Sequence, residues 1–426
     1  MSQAKSGYGA GAKILSVGIA STGLVTFAYF SVASHALNDP EAYARISLLW
    51  SVLFVIVSVI YRPIEQLLSR TIADRRARGF EANHPLRTPM LIQGAFALTF
   101  LAVALIFRDP IQNELFDGFA ALYWVLVIAV LAYAASYFAR GWLAGHQWFA
   151  LYGGLVFIEA TARLLFAVAV LVGIAEGQSV VAMGMAAAPF VSLVVVPLAF
   201  SRRPKESTSK KQDELGLARG GRFAVAVLAI MLAEQTLLNA GVIAADLTAT
   251  DAAVTGYVFS ALLIARAPLQ LFQAVQGSLL PHLAGLEAKQ GKAEFEKAIR
   301  ITILAIAGFA LAVALGLVLL GPFAMDLLFD DDKTFARFGL AAVALGMGFH
   351  LAAGTLNQAA LARDHAGTAA IAWLLAAAVF LAWMFADVID DELLRAEVGY
   401  LGAASLLCAL LAVVYRRPAS TSPPAA

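Results

Sequence analysis

The sequence predicts an all-α polytopic membrane protein whose twelve transmembrane helices form two six-helix bundles. Of its 426 residues, 61% are hydrophobic and 14% are charged, whereas soluble domains have about 45–50% apolar and about 25% charged residues. The apolar residues occur in runs that match the roughly 20 residues of a membrane-spanning helix. One long polar stretch divides these runs into six and six. A water-soluble enzyme is therefore a poor starting interpretation.

Uninterrupted apolar runs between charged or Pro- and Gly-rich breaks define the spans. The candidates lie near 14–36, 46–68, 90–107, 118–139, 150–173, 180–200, 223–246, 253–276, 299–320, 338–362, 367–388 and 397–415. None shows the alternation of a β-barrel strand. The first run follows Lys5 and Lys13 as a secretory signal would, but its apolar core exceeds the about 7–15 residues of such a signal. We expect an uncleaved first helix.

The distribution of Lys and Arg predicts the orientation, because cytoplasmic loops are enriched in basic residues. With the N-terminus inside, 21 basic residues lie in 1–13, 69–89, 140–149, 201–222, 277–298, 363–366 and 416–426. Five lie on the opposite side: Arg45, Arg108, Lys333, Arg337 and Arg395. Both termini are therefore expected in the cytoplasm.

The polar stretch 201–222 indicates a cytoplasmic linker. It separates an N-terminal bundle, 1–200, from a C-terminal bundle, 223–415, and residues 416–426 form a tail. The halves show weak similarity at equivalent places, EQLLSRTIADRRARG (65–79) and GSLLPHLAGLEAKQG (277–291), although a second register aligns Arg62 with Arg266. Both registers give parallel repeats, and in duplicated transporters the substrate site lies between the repeats.

Motifs for enzymatic chemistry are missing from the sequence. It has no nucleotide-binding glycine loop and no nucleophile elbow. Its one cysteine, Cys408, excludes an intramolecular disulfide, and its six histidines lack metal-ligand spacing. We therefore expect a carrier and not an enzyme, with no metal and no cofactor.

Three segments resemble a known family. RPIEQLLSRTIADRRARG (62–79), ARGWLAGHQWFALYGGLVFIEATARLLFA (139–167) and QAVQGSLLPHLAGLEAKQG (273–291) are similar to polysaccharide biosynthesis proteins of the multidrug/oligosaccharidyl-lipid/polysaccharide (MOP) exporter superfamily, including Wzx-type flippases. The RGxLxGxxxFxxY run at 140–152 is the most specific of these motifs. The resemblance implies a MATE-like, V-shaped pair of bundles around a central cavity, in the bacterial cytoplasmic membrane.

Two pairs of charged residues lie within spans of the N-terminal bundle. An isolated charge at mid-membrane costs about 2.5–3.5 kcal/mol on insertion scales and demands a partner or water. Glu159 and Arg163 are four residues apart, which favours a salt bridge that holds the fifth helix in its bundle. Arg62 and Glu65 lie near the cytoplasmic end of the second helix. For this pair, a gate or headgroup contact and a local ion pair are equally compatible with the spacing.

The eighth span carries a polar face made of Arg266, Gln270 and Gln273 at i, i+4 and i+7. A guanidinium can donate hydrogen bonds to phosphate oxygens, and amides can form hydrogen bonds with sugar hydroxyls. This pattern favours a site for an anionic diphosphate sugar. The alternative is that Arg266 only pairs with Glu234 on the seventh helix. Glu234, Gln235 and Asn239 are expected to line the same cavity wall.

The residues and the resemblance together predict a flippase that moves a polyprenyl-diphosphate-linked oligosaccharide by alternating access. Expected partners are this substrate, membrane lipids and polysaccharide polymerases or glycosyltransferases, but not nucleic acid. An ion-coupled MATE-type exporter of small amphipathic compounds is the first alternative. The resemblance places its coupling carboxylate on helix 1, which has none here. A scaffold without transport activity is the third possibility.

Overall fold

The computed structural model describes residues 2–77, 86–200, 217–249, 251–264, 269, 292–329, 335–363, 365–386 and 388–417. Twelve main helices occur in these ranges, and they confirm the predicted all-α membrane fold. They are α1 Ser2–Leu37, α2 Pro40–Ala77, α3 Arg87–Ile106, α4 Ala120–Gly145, α5 Phe149–Leu171, α6 Gln178–Ser192, α7 Leu217–Thr248, α8 Ala253–Ile264, α9 Lys292–Leu328, α10 Arg337–Ala362, α11 Ala366–Phe385 and α12 Glu392–Tyr415. A short helix, Val195–Phe200, follows α6, and a π-helical turn, Ile111–Leu115, precedes α4.

Ten spans within the described residues are long and apolar enough to cross a membrane. Their outward faces carry large apolar side chains, such as Leu319 with 69% and Phe323 with 67% of its surface exposed. Such exposure is unfavourable in water and matches contact with lipid tails. The chain is therefore a multi-pass membrane protein.

The connection between α4 and α5 differs from the prediction. The predicted loop 140–149 is reduced to three residues, because α4 continues to Gly145 and α5 begins at Phe149. Two hydrogen bonds close α4, from Trp148 N to Leu143 O at 2.9 Å and from Gln147 N to Ala144 O at 2.9 Å. Gln147 has a positive φ of 60°, as this helix-ending motif requires. Arg140 is therefore a helix residue and not a loop residue.

Arg395 is a second residue that the loop assignment placed wrongly. It lies in the first turns of α12 with 2% of its surface exposed, and its Nη1 donates to the carbonyl of Met384 at 3.2 Å. Asp391 caps the same helix by accepting a hydrogen bond from Leu394 N at 3.0 Å. The exterior loop predicted there is therefore shorter than expected.

The chain divides into two compact units, residues Met1–Gly220 and Gly221–Ala426. In the first unit, α1 packs on α5, α2 packs on α4, and α6 contacts both α4 and α5. Close approach of α2 and α4 depends on Gly141, where an added Cβ would lie 2.8 Å from the backbone carbonyl oxygen of Glu65. This contact brings the polar residues of the two helices together.

In the second unit, α10 packs against α9 and α12, while α11 packs on α12. Its interior includes a polar group around His350, whose Nδ1 lies 3.3 Å from the hydroxyl of Tyr400. Beside it, Trp373 Nε1 donates to Asn357 Oδ1 at 3.2 Å. These contacts join α10, α11 and α12.

Candidate functional site

Glu159 is the centre of a buried ion network in the N-terminal unit. Its Oε1 accepts a hydrogen bond from Arg163 Nη1 at 3.1 Å, one turn along α5. Its Oε2 accepts bonds from Arg140 Nη2 at 2.7 Å and from Ser136 Oγ at 3.1 Å, both on α4. The exposed fractions are 2% for Glu159, 3% for Arg163 and 9% for Arg140. One carboxylate therefore binds two guanidinium groups, which come from two helices.

Arg163 extends the network to α2. Its Nη1 also donates to the hydroxyl of Tyr133 at 2.7 Å. Its guanidinium lies 5.1 Å from the ring centroid of Trp50 and 5.8 Å from that of Phe54, both on α2. Aromatic faces attract cations within about 6 Å. Arg163 is therefore held by an ion pair, a phenol and two rings.

Glu65 is a second carboxylate beside the Glu159 network. The hydroxyl of Tyr152 on α5 donates to Glu65 Oε1 at 2.8 Å. Arg140 and Arg62 are close enough to attract the carboxylate electrostatically. Both Glu65 and Arg62 are partly buried on α2. The pair predicted from sequence thus lies beside the Glu159 network, and Glu65 contacts a helix that the spacing did not indicate.

We call Glu65, Tyr133, Ser136, Arg140, Tyr152, Glu159 and Arg163 the N-terminal ion network. Its two glutamates and two arginines balance in formal charge, and Arg62 adds a further positive charge beside it. Buried charges are tolerated when each is paired and hydrogen-bonded, while removal of one partner costs about 3–5 kcal/mol. The network therefore fixes α2, α4 and α5 relative to one another and carries a net positive charge once Arg62 is included.

Four network residues were missed by the sequence reasoning: Tyr133, Ser136, Arg140 and Tyr152. Tyr133, Tyr137 and Arg140 recur at i, i+4 and i+7 along α4, which is the signal that could have found them. Arg140 stacks on the ring of Tyr137 with 4.5 Å between its Cζ and the ring centroid. The count of basic residues in loops instead assigned Arg140 to a loop, so the shared helix face of Tyr133, Tyr137 and Arg140 was not recognised.

The candidate residues of the C-terminal unit are only partly described. Gln235 and Asn239 are buried on α7, and Asn239 Nδ2 donates to Gln235 Oε1 at 3.2 Å and to Gln235 O at 3.1 Å. Glu234 is partly buried on the same helix. Arg266, Gln270 and Gln273 lie outside the described residues, as does the predicted pairing of Arg266 with Glu234. Within the described ranges, no group of three or more His, Cys, Asp or Glu side chains is placed to hold a metal ion.

Several solved structures of MATE transporters have the same fold as this chain. The chain superimposes on an inward-facing multidrug resistance MATE family transporter of the MOP superfamily with a TM-score of 0.67, 13% identity and coverage of 94% of this chain and 96% of that chain. The eukaryotic MATE transporter AtDTX14 gives a TM-score of 0.66, 12% identity and coverage of 96% and 95%. The Vibrio cholerae MATE transporter VcmN in its bent form gives 0.60, 15% identity and coverage of 96% and 97%.

These similarities show that the chain has the MATE fold over nearly its whole length. No protein-family model and no curated protein sequence matches the chain.

Proposed function

We propose that the protein is a transporter, and not an enzyme, that moves a polyprenyl-diphosphate-linked oligosaccharide across the membrane by alternating access. The observation that carries this proposal is the charge of the N-terminal ion network. Arg140 and Arg163 hold Glu159, and Tyr152 holds Glu65 by a hydrogen bond. The two carboxylates are thus engaged by protein groups, and together with Arg62 the cluster has three arginines for two glutamates. Such a balance favours an anionic headgroup over a cationic drug.

The proposed contacts follow from the chemistry of a diphosphate sugar. Arg62 and Arg266 neutralise phosphate oxygens, to which a guanidinium can donate two parallel hydrogen bonds. Gln270, Gln273 and Asn239 bond sugar hydroxyls, and Glu234 contacts the sugar or Arg266. Glu65, Glu159, Arg163 and Gln235 support the helices or act in gating. The polyprenyl tail remains in the bilayer, where its apolar surface avoids water.

Substitution of the two arginines tests the proposal. Purified Arg62→Ala and Arg266→Ala proteins are reconstituted into vesicles that contain a lipid-linked oligosaccharide, and headgroup translocation is followed by its accessibility to an external glycosidase. Each variant is expected to be slower than wild type. Arg300→Ala is the matched control, since Arg300 is exposed on α9, and it should translocate at the wild-type rate. Unchanged translocation in both test variants, with normal insertion, contradicts the assigned roles.

An ion-coupled exporter of small amphipathic cations is the second candidate. It is favoured by the fold, because the matched structures are described as MATE transporters, among them a multidrug resistance protein. The sequence of helix 1 contains no Asp or Glu. The carboxylate that couples transport to an ion must therefore lie on another helix, and Glu234 is the candidate. Efflux of ethidium driven by a proton or sodium gradient and lost in Glu234→Gln supports this candidate. A protein that transports neither class is a scaffold.

The proposal includes the location of the protein and its partners. The basic loops support a bacterial cytoplasmic membrane protein with both termini in the cytoplasm. Glycosyltransferases that build the headgroup, or a polymerase that consumes it, would act on either side of the transport step. Membrane lipids are the remaining partners.

A further inference from the structure

An apolar cleft of the N-terminal unit lies between α3, α4 and the residues that follow α6, Leu193 and Val196. Its volume is about 440 Å³, which falls within the about 300–1,000 Å³ typical of ligand pockets. Residues from Leu86 at the start of α3 to Trp142 near the end of α4 and Val196 after α6 mark its position along the helices. The ion network is absent from its lining. The cleft is therefore a separate feature of the unit.

Small residues keep the cleft open. Gly94, Ala97, Ala134 and Ala135 form much of its wall, and a Cβ added to Gly94 would meet no atom within 4 Å. Gln93 is the polar residue of the lining, and its amide nitrogen donates to the carbonyl of Ala134. The amide oxygen of Gln93 is buried and has no hydrogen-bond partner among the described residues. The other side chains of the lining are apolar, apart from the indole nitrogen of Trp142. The cleft consequently suits a hydrocarbon chain.

One wall of the cleft has the exposed apolar surface that is expected of a helix in contact with lipid. Helix α3 contributes one wall, and only 17% of its spanning window is buried within the protein. Met90 in that wall is 55% exposed, and Gly94 and Ala135 are also exposed. A lipid chain could thus enter sideways from the membrane without passing through water.

The mouth of the cleft lies at the cytoplasmic surface in the orientation that the basic loops predict. Trp142 lines the cleft and packs on His146 and Trp148, with ring centroids 4.5 Å and 5.1 Å away. Such aromatic groups settle at headgroup depth. Leu86 is followed by Arg87, whose side chain is exposed. Positive charge at the mouth complements a phosphate group attached to the chain.

We propose that this cleft binds the isoprenoid chain of the transported lipid, at the end next to the diphosphate, while the headgroup waits in the cytoplasmic leaflet. The inference rests on the proposed function, and it assigns to α3, α4 and the residues that follow α6 a role in recognising the lipid part of the substrate. A chain held there would keep the diphosphate near Arg87 and the cytoplasmic surface before translocation.

A photoreactive residue tests which molecule occupies the cleft. Benzoylphenylalanine in place of Met90 is irradiated in vesicles that contain radiolabelled polyprenyl diphosphate in phosphatidylglycerol and phosphatidylethanolamine. We expect a labelled adduct that excess unlabelled polyprenyl diphosphate removes and excess phosphatidylglycerol leaves. A phospholipid adduct that polyprenyl diphosphate does not displace overturns the proposal. So does an adduct between two copies of the chain, or between Met90 and another segment of the same chain.

Filling the cleft supplies an independent measurement. Gly94→Leu and Ala135→Leu should weaken labelling and raise the half-saturating concentration for lipid-linked oligosaccharide roughly tenfold or more, because the chain loses buried apolar surface. Gly316→Leu is the matched control, since Gly316 is exposed on the outward face of α9 and its added Cβ also meets nothing within 4 Å. It should behave as wild type. Equal behaviour of the control and both test variants, each with wild-type elution on size exclusion, contradicts the inference.

The two proposals fail in distinguishable ways. Specific labelling by polyprenyl diphosphate without any headgroup translocation supports the cleft as a chain site and overturns the proposed function. Translocation with no labelling at Met90, and with unchanged half-saturation in Gly94→Leu, overturns the cleft proposal alone.

Discussion

Arg140 of α4 donates a 2.7 Å hydrogen bond to Glu159 of α5, and both side chains are buried. This bond joins two helices, whereas the 3.1 Å bond from Arg163 to the same carboxylate lies within one helix. Glu159 is therefore the residue on which the charge balance of the N-terminal unit depends.

Substitution of Glu159 should destabilise the protein strongly. In Glu159→Gln, Arg140 and Arg163 lose their shared anion, and an uncompensated buried charge costs about 3–5 kcal/mol. The measurement is thermal and denaturant unfolding of purified protein in detergent. Glu294→Gln is the control, because its carboxylate is exposed and pairs with Lys297 at 3.5 Å on the surface; exposed pairs contribute about 0–1 kcal/mol. Equal stability of the two variants contradicts the structural role of Glu159.

The hydrogen bond between Tyr152 and Glu65 should appear as coupling in a double-mutant cycle. Tyr152→Phe and Glu65→Leu each remove the 2.8 Å hydrogen bond between α5 and α2. The double variant should be more stable than the sum of the single effects predicts, by about 0.5–3 kcal/mol as for residues in direct contact. Unfolding free energies of the four proteins give the coupling. Strict additivity would show that the bond does not form.

Gly141 should tolerate no side chain. In Gly141→Ala the new Cβ would lie 2.8 Å from the carbonyl oxygen of Glu65, and such overpacking costs about 1–3 kcal/mol. Gly154→Ala on α5 is the control, since its Cβ meets nothing within 4 Å; alanine is favoured there by about 0.5–1 kcal/mol over glycine in a helix. Opposite signs of the two stability changes are expected, and a stabilised Gly141→Ala protein would contradict the close packing of α2 on α4.

The orientation can be tested by labelling single cysteines. In a Cys408→Ala background, Asp117→Cys and Gln147→Cys place thiols at exposed positions before and after α4. In intact cells an impermeant maleimide should label position 117, and position 147 should react only after permeabilisation. The reverse pattern would place the N-terminus outside. Asp390→Cys, exposed before α12, serves as a second exterior position.

Sequence reasoning was most reliable where the physical cause is local. Apolar runs predict the transmembrane helices, because the thickness of the bilayer sets their length. The i, i+4 spacing of Glu159 and Arg163 predicts their ion pair, because one helix turn brings the two side chains together. The bond between Arg140 and Glu159 joins residues 19 apart, and that between Tyr152 and Glu65 joins residues 87 apart. Contacts between helices depend on packing at small residues such as Gly141, which no periodicity encodes.

The end of α4 shows why Arg140 escaped notice. Basic residues near span ends are counted as loop residues when orientation is predicted. Here the polypeptide turns at Gln147 in a positive-φ conformation, which is rare for a residue with a side chain, so the helix runs further than its sequence indicates. The substrate contacts assigned to Arg62, Arg266 and the amides of the eighth predicted span are predictions that transport measurements test.

The central claim is that the cargo is an anionic lipid-linked saccharide and not a cationic drug. Wild-type protein in vesicles loaded with both a lipid-linked oligosaccharide and ethidium tests it in one measurement. We predict that the saccharide becomes accessible to an external glycosidase faster than in protein-free vesicles, with no change in ethidium efflux under a proton or sodium gradient. Gradient-driven efflux of ethidium with no headgroup translocation would contradict the account and identify the protein as a cation exporter.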